Sequence, residues 1–298
     1  MNAFRIAWPL VALGVGLLGC VTRPVPPPEW AAWKARRLES VGGTNGWTTL
    51  VGLHWLEEGT NTAGTSPTNS IVFDTPHLPA AFGTFVRTGL RVKFVSAPGA
   101  AVRVAGRPVG ELELVTDAEE EPTRLEVGSA SVIAIRRADR LGLRMRDSRA
   151  PARQAFHGLR CYPYDPAWRL TGRFEAFPGI RTLRVPNVVG LTEEFASPGA
   201  LVFEVAGRTH RLDVALERGE TDFFIMFHDR TAGDTTYGAG RFLYVKPPGP
   251  DGTVTIDFNL AYTPPCGFTK FATCPLPPRQ NRLPFAIPAG ELRPAGHP

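Results

Sequence analysis

From Trp47 to Phe258 the chain is a succession of short apolar and β-branched runs, each closed by Gly, Pro, Asn or Asp. With 31 glycines and 29 prolines among 298 residues, long helices have little room. The first half offers strands at 47–53, 70–73, 84–87, 90–95, 101–104, 111–115, 131–137 and 141–146. The second half offers them at 169–174, 182–185, 201–205, 210–215, 223–227, 241–245 and 254–258. This rhythm predicts a mostly β fold built as two packed sandwich- or barrel-like units with long ordered loops. Val104-Ala105-Gly106-Arg107 and Val205-Ala206-Gly207-Arg208 each fall at the turn of an expected hairpin, so duplication of one β unit stays open.

Two segments break the rhythm. Residues 28–41 (PEWAAWKARRLESV) carry a helical pattern in which Trp30, Trp33, Ala35 and Leu38 share a face, and Gly42-Gly43 stops it. Residues 148–168 (SRAPARQAFHGLRCYPYDPAW) are too rich in proline and aromatics for a plain linker. They predict an ordered crossover packed on both halves.

The N-terminus reads as targeting rather than fold. Arg5 is followed by the apolar run Ile6–Leu18 and then Gly19-Cys20, which resembles a bacterial lipobox. The resemblance implies a signal peptide over 1–19, a lipidated Cys20 and a proline-rich tether over 20–28, with a lipid-anchored body facing the periplasm, at the outer membrane because Val21 is not acidic. The helix and first β unit then occupy 29–150, and the second β unit with its Cys/Pro-rich block occupies 151–298. A net charge of +5, scattered along the chain, gives no footprint for nucleic acid. The partners to expect are the membrane, through the anchor, and a small molecule or glycan. Cys266 and Cys274 enclose a loop of Pro and Gly and are the expected disulfide of an exported chain, leaving Cys161 as a buried thiol.

Chemistry is sparse. No G-x-S-x-G, phosphate-binding loop, dinucleotide fingerprint or metal-ligand spacing occurs, so no metal and no cofactor are expected. His228 and Asp229 are adjacent, and on a strand they would point to opposite faces. His54, in GLHWLEEG, reads either as a general base or as a strand-end ring covering core. Asp257 and Asn259 flank Phe258, with Arg241 and Tyr262 nearby in sequence. They read either as a polar pocket for a sugar or amide or as turn chemistry. The candidate ligand-binding set is therefore Tyr237, Arg241, Asp257, Asn259 and Tyr262. The catalytic candidates are His54, Asp257, Asn259 and Arg241, for the alternative of a hydrolase or lyase on carbohydrate or peptidoglycan-like material. That alternative requires His54 or His228 to reach Asp257.

Three blocks, GWTTLVGLHWLEEGTNTAGTSPTNSIVF, FHGLRCYPYDPAWRL and the run from TYGAGRFLYV through DFNLAYTPPCGF to PFAIPAGE, resemble the bacterial family called domain of unknown function 1684. The resemblance spans about Trp33 to Glu291. It implies one architecture for the three blocks and an aromatic residue in relatives where Cys161 stands, hence a packing role there. It implies no activity. Glu58-Gly59-Thr60-Asn61, Gly64-Thr65-Ser66 and Asn69-Ser70-Ile71-Val72 also resemble the opening of forkhead-associated domains, which are phosphothreonine-binding β-sandwiches. The arginine after the glycine is Thr65 here, so the resemblance implies sandwich topology for the first half and not phosphopeptide binding.

Overall fold

The computed structural model describes residues 24–119 and 121–295; the expected signal peptide and Cys20 lie outside them. The fold is mostly β. After helix α1 (Pro28–Gly42), the first half holds β1 (Leu50–Trp55), β2 (Gly59–Gly64), β3 (Ile71–Val72), β4 (Gly83–Thr88), β5 (Arg91–Ser96), β6 (Arg103–Val104), β7 (Arg107–Pro108), β8 (Glu111–Glu113), β9 (Arg124–Val127), β10 (Ala130–Arg137) and β11 (Arg140–Asp147). They form a six-stranded sheet in the order β1-β11-β10-β9-β6-β7 and a five-stranded sheet in the order β3-β2-β4-β5-β8. The two inner faces share one core, in which Phe82, Phe85 and Phe94 meet Val132, Leu143 and Met145.

Residue alternation on β11 carries information beyond the core. In Arg140-Leu-Gly-Leu-Arg-Met-Arg146, Leu141, Leu143 and Met145 point into that core. Arg140, Arg144 and Arg146 therefore project from the outer face. Register places Ile133 opposite Arg144, Arg137 opposite Arg140, and Arg124 opposite Ile133. Five arginines thus share one side of the six-stranded sheet. Arg140 stacks 4.2 Å from the Trp55 ring, and Arg146 bonds the carbonyls of Asn45 and Gly46.

A crossover with one short helix, α2 (Pro151–Gln154), leads to the second half: β12 (Arg169–Pro186), β13 (Thr192–Val205), β14 (Arg208–Asp213), β15 (Phe223–Phe227), β16 (Arg241–Val245) and β17 (Thr253–Asp257). Their sheets run β14-β13-β12-β17 and β15-β16. Strands expected separately at 169–174 and 182–185 are one strand of 18 residues. Pairing with β13 jumps from Ala176↔Gly199 to Arg181↔Ser197. The residues around Pro178-Gly179 are extruded as an irregularity, which lets a proline sit inside a paired strand. Arg181 covers the extruded Phe177 ring at 3.8 Å.

The crossover is ordered, as its composition predicts. Arg153 donates to the carbonyls of Gly42 and Gly43, Phe156 packs edge-on against Phe268, and Arg160 bonds the carbonyl of Arg293. It therefore ties helix α1, the first unit and the C-terminal block together. Helix α1 docks by only part of the face expected: Trp30 and Trp33 are half-buried, with Trp30 edge-on to Tyr164. Arg37 and Val41 are its buried residues, whereas Leu38 is 40% exposed and Ala35 is exposed. The rest of that stripe lost to an ion pair: Arg37 is drawn inward by Glu291.

Both Val-Ala-Gly-Arg segments are hairpin turns. Ala105 and Gly106 have φ of 49° and 76°, and Ala206 and Gly207 have 51° and 71°. Two successive positive φ values match the twist of antiparallel strands but cost an alanine strain that asparagine tolerates. Ala206 is exposed and contributes no packing. Ala206→Asn is therefore expected to stabilise the protein by about 0.5–1 kcal/mol, read as a rise in the urea midpoint at unchanged slope.

Candidate functional site

The polar residues singled out near the C-terminus are brought into one region, but mostly bonded to one another or to backbone. Arg241, the first residue of β16, has no solvent exposure. Its guanidinium meets the Asp229 carboxylate at 3.2 Å and donates to the carbonyls of Ile287 and Ala289. Burial pushes its pKa down, opposed by Asp229. Asp257 accepts from the amide of Asn259 at 3.0 Å and from its side chain at 2.9 Å, and pairs with Arg169 at 3.0 Å. Asn259 also spans the backbone N–H and carbonyl of Asp165. A 3₁₀ turn over Phe258–Leu260 replaces the extended geometry that would have aimed both side chains to one side. The Tyr237 hydroxyl donates to the Cys266 carbonyl.

His54 does not join this group. It lies opposite Leu143 on the core side of the six-stranded sheet, with its ring 6.1 Å from Phe73, and burial lowers its pKa. His228 is held through its backbone by Asn281 and Leu283. No hydrogen bond among the described residues links either histidine to Asp257, so the convergence that the hydrolase or lyase alternative requires is not formed.

Cys266 and Cys274 lie side by side, but no disulfide joins them. The amide of Cys266 donates to the Cys274 sulfur at 3.1 Å. A hydrogen bond from the Cys274 thiol lowers the pKa of Cys266, while burial raises that of Cys274. Cys161 is half-buried, its backbone bridges Glu291, and burial pushes its thiol up to about 11. An unreactive thiol of this kind fits packing.

The concave site is a cleft of about 2100 Å³ bordered by helix α1 and by both β units. Asp257 and Tyr262 line it; Tyr237, Arg241, Asn259 and His54 do not. One side is the arginine face of the six-stranded sheet, represented by Arg137 and Arg144, with Trp47 beside it. Helix α1 adds Trp33, Arg36 and Arg37. The second unit adds Glu193, Glu217, Arg218, Phe242 and Tyr244. Arg218 reaches across to the carbonyl of Ala118 and so joins the second unit to the first.

Two networks set the electrostatics. Arg37 pairs with Glu291 at 2.7 Å, bonds the carbonyl of Thr263, and lies 4.4 Å from the Tyr262 ring, while Glu291 accepts from the Thr263 amide. This holds helix α1 and the aromatic floor in one piece. Tyr262 stacks on Tyr244 at 6.2 Å, and the Tyr244 hydroxyl donates to Glu217. Burial raises the Glu217 carboxyl above its ordinary range, the Tyr244 bond opposes this, and Glu220 and Glu193 add to it. The second cluster gathers Arg137, Arg144, Asp117 and Thr273, with burial and neighbouring Arg137 bringing Arg144 down to about 10. None of these cleft residues except Asp257 and Tyr262 was among the sequence candidates. The signal available was the arginine alternation on β11, which marks a polar face that has to meet something.

Fold and cleft together describe a mostly β protein with a broad, open polar–aromatic cleft bordered by two β units and a helix. Residues 154–292 match the model of the family described as Protein of unknown function (DUF1684). The match covers the second half of the resemblance read from the sequence. Comparison with curated proteins returns no match. Among solved structures, an uncharacterized protein of Haloarcula marismortui, determined by NMR in solution, is similar at 29% identity over 47% of this chain and 78% of that one, with a TM-score of 0.40.

Proposed function

We propose that this protein is a lipid-anchored ligand-binding protein of the cell envelope and that its ligand occupies the cleft between the β units. The observation that carries the reading is the cleft itself. Its volume of about 2100 Å³ exceeds that of an ordinary small-molecule pocket, roughly 300–1000 Å³. That leaves room for an extended ligand such as a glycan or peptide. Trp33, Trp47, Tyr244 and Tyr262 supply flat apolar surface, and the surrounding arginines and glutamates supply hydrogen bonds. The Gly19-Cys20 step supports the anchor, and among the described residues no helix is long and apolar enough to cross a membrane.

The test is a thermal-shift series on the full chain in detergent with envelope oligosaccharides and muropeptides, repeated on Tyr244→Ala. A ligand present at about 100 times its Kd stabilises the fold by about 2.7 kcal/mol. The expected result is a selective rise in Tm that weakens at least tenfold in apparent affinity in Tyr244→Ala. No rise with any compound, or a rise indifferent to Tyr244→Ala, would count against the cleft. Incubating any ligand found and looking for cleavage tests the hydrolase or lyase alternative.

A further inference from the structure

We propose that the corner of the cleft formed by Arg137, Arg144 and Thr273 is an oxyanion site, which takes a carboxylate or phosphate group of the ligand. The inference rests on the cleft reading above and names the chemistry of one end of it.

Four observations support it. Charge comes first. Arg137 and Arg144 leave the same face of neighbouring strands, and Asp117 is the carboxylate both approach, at 3.0 Å from Arg137 and 3.9 Å from Arg144. Two guanidiniums against one carboxylate leave one positive charge over. Burial is the second. Arg144 is 6% exposed and its Nε–H, though buried, has no acceptor. A buried donor left unpaired is costly, so natural interiors seldom keep one. Burial and the like charge of Arg137 bring Arg144 down to about 10. It stays charged at neutral pH, and a second anion would relieve both penalties.

The third observation is the hydroxyl between them. Thr273 Oγ1 accepts from Arg137 Nε at 2.9 Å and from Arg144 Nη2 at 3.3 Å. With both lone pairs engaged, its O–H remains as a donor, and no described residue accepts it. The fourth is access, because all three residues line the cleft. Arg137 spends Nε on Thr273 and Nη1 on Asp117 and the Arg136 carbonyl, which leaves one Nη2–H beyond Asp117. That N–H, the Arg144 Nε–H and the Thr273 hydroxyl on one concave wall match the several lone pairs of a planar or tetrahedral oxyanion. The chain's own exposed ion pairs, such as Arg91 with Glu113, have no such surplus.

The experiment is calorimetric titration of the full chain with inorganic phosphate and, in a separate arm, with acetate, at constant ionic strength in chloride. The Arg side-chain Nε–H signals are followed by NMR in parallel. Binding of one ion per chain is expected, with a shift of the Arg144 Nε–H signal. Arg137→Gln should weaken it about tenfold to a hundredfold, and Thr273→Val should weaken it less. Arg91→Gln should change nothing. Because Arg137 also holds Asp117, Arg137→Lys, which keeps the charge and loses the fork, is titrated beside Arg137→Gln and should bind the ion more weakly than the parent at a similar Tm. Binding of phosphate but not acetate assigns a phosphate group; the reverse assigns a carboxylate. Failure of both ions to bind, or equal affinity in Arg137→Gln, overturns the site. A cleft ligand that binds Arg137→Gln unchanged also overturns it, while leaving the cleft as binding site intact. Phosphate bound at Arg137 with no cleft ligand found would do the opposite.

Discussion

Replacing Arg241 by alanine is expected to destabilise the protein by about 3–5 kcal/mol, a large share of a typical domain's stability. The pair it forms with Asp229 is fully enclosed, with side chains 0% and 1% exposed. Removing the guanidinium leaves the Asp229 carboxylate buried with no countercharge, takes the guanidinium donor from the Ala289 carbonyl, and leaves that of Ile287 only the Ala289 amide. The same carboxylate accepts from the Ile287 amide at 2.7 Å and from the Thr231 hydroxyl, so its loss of charge balance is felt along the whole C-terminal segment. The measurement is urea unfolding with the slope held as a control. Replacing both partners by apolar residues of similar volume, Arg241→Met with Asp229→Leu, should recover much of the loss, because no lone charge remains buried. A cost below about 1 kcal/mol for Arg241→Ala would show that water reaches the pair. It would also restore Arg241 as a residue able to meet a ligand.

Glu291→Ala is expected to cost about 3 kcal/mol and to loosen helix α1. Glu291 takes two bonds from Arg37 and one from the Thr263 amide. Without it, Arg37 keeps only the Thr263 carbonyl and the face of Tyr262, in a site where it is 9% exposed. Its other holds sit at its two ends, Trp30 edge-on to Tyr164 at the start and Val41 with the Arg153 bonds to Gly42 and Gly43 at the end, while Leu38 and Ala35 are exposed. Amide exchange over residues 28–42 should quicken far more than that of β10 and β11. Uniform acceleration across the chain would mean that Glu291 supports the global fold instead of the helix. Arg37→Met, which removes the charge and keeps bulk, should loosen the helix less than Glu291→Ala. Because α1 forms one border of the cleft, both variants should also weaken any cleft ligand.

What could be read before folding followed from local rules. Hairpin turns at Ala105-Gly106 and Ala206-Gly207, and most strand positions, depend on neighbours a few residues away. The crossover could be recognised as ordered because its prolines and aromatics suit packing better than solvent. Helix α1 was placed correctly along the chain, and its tryptophans do face the body, but Ala35 and Leu38 do not. An amphipathic count ranks Leu38 above Arg37, and the reason to bury Arg37 lies at Glu291, 254 residues away. Asp257 and Asn259 were recognisable as a polar pair. Which of their two readings applied depended on Arg169 and Asp165, which no spacing reveals. The cleft was invisible for the same reason: its walls come from three separate regions, and its arginine side is set by which face of β11 the core takes.

The C-terminal segment has a consequence for the order in which the molecule assembles. Gly290 sits at φ 80° with the Ala261 carbonyl 2.4 Å from where a side chain would start, and beside it Ala289 and Glu291 receive Arg241 and Arg37. The first helix of the described fold is thus fastened by a residue 254 positions further along the chain. Closing a loop that long is slow compared with forming the local strand pairs between. Helix α1 therefore seats only once Glu291 is in place, later than the local strand pairs that lie between them.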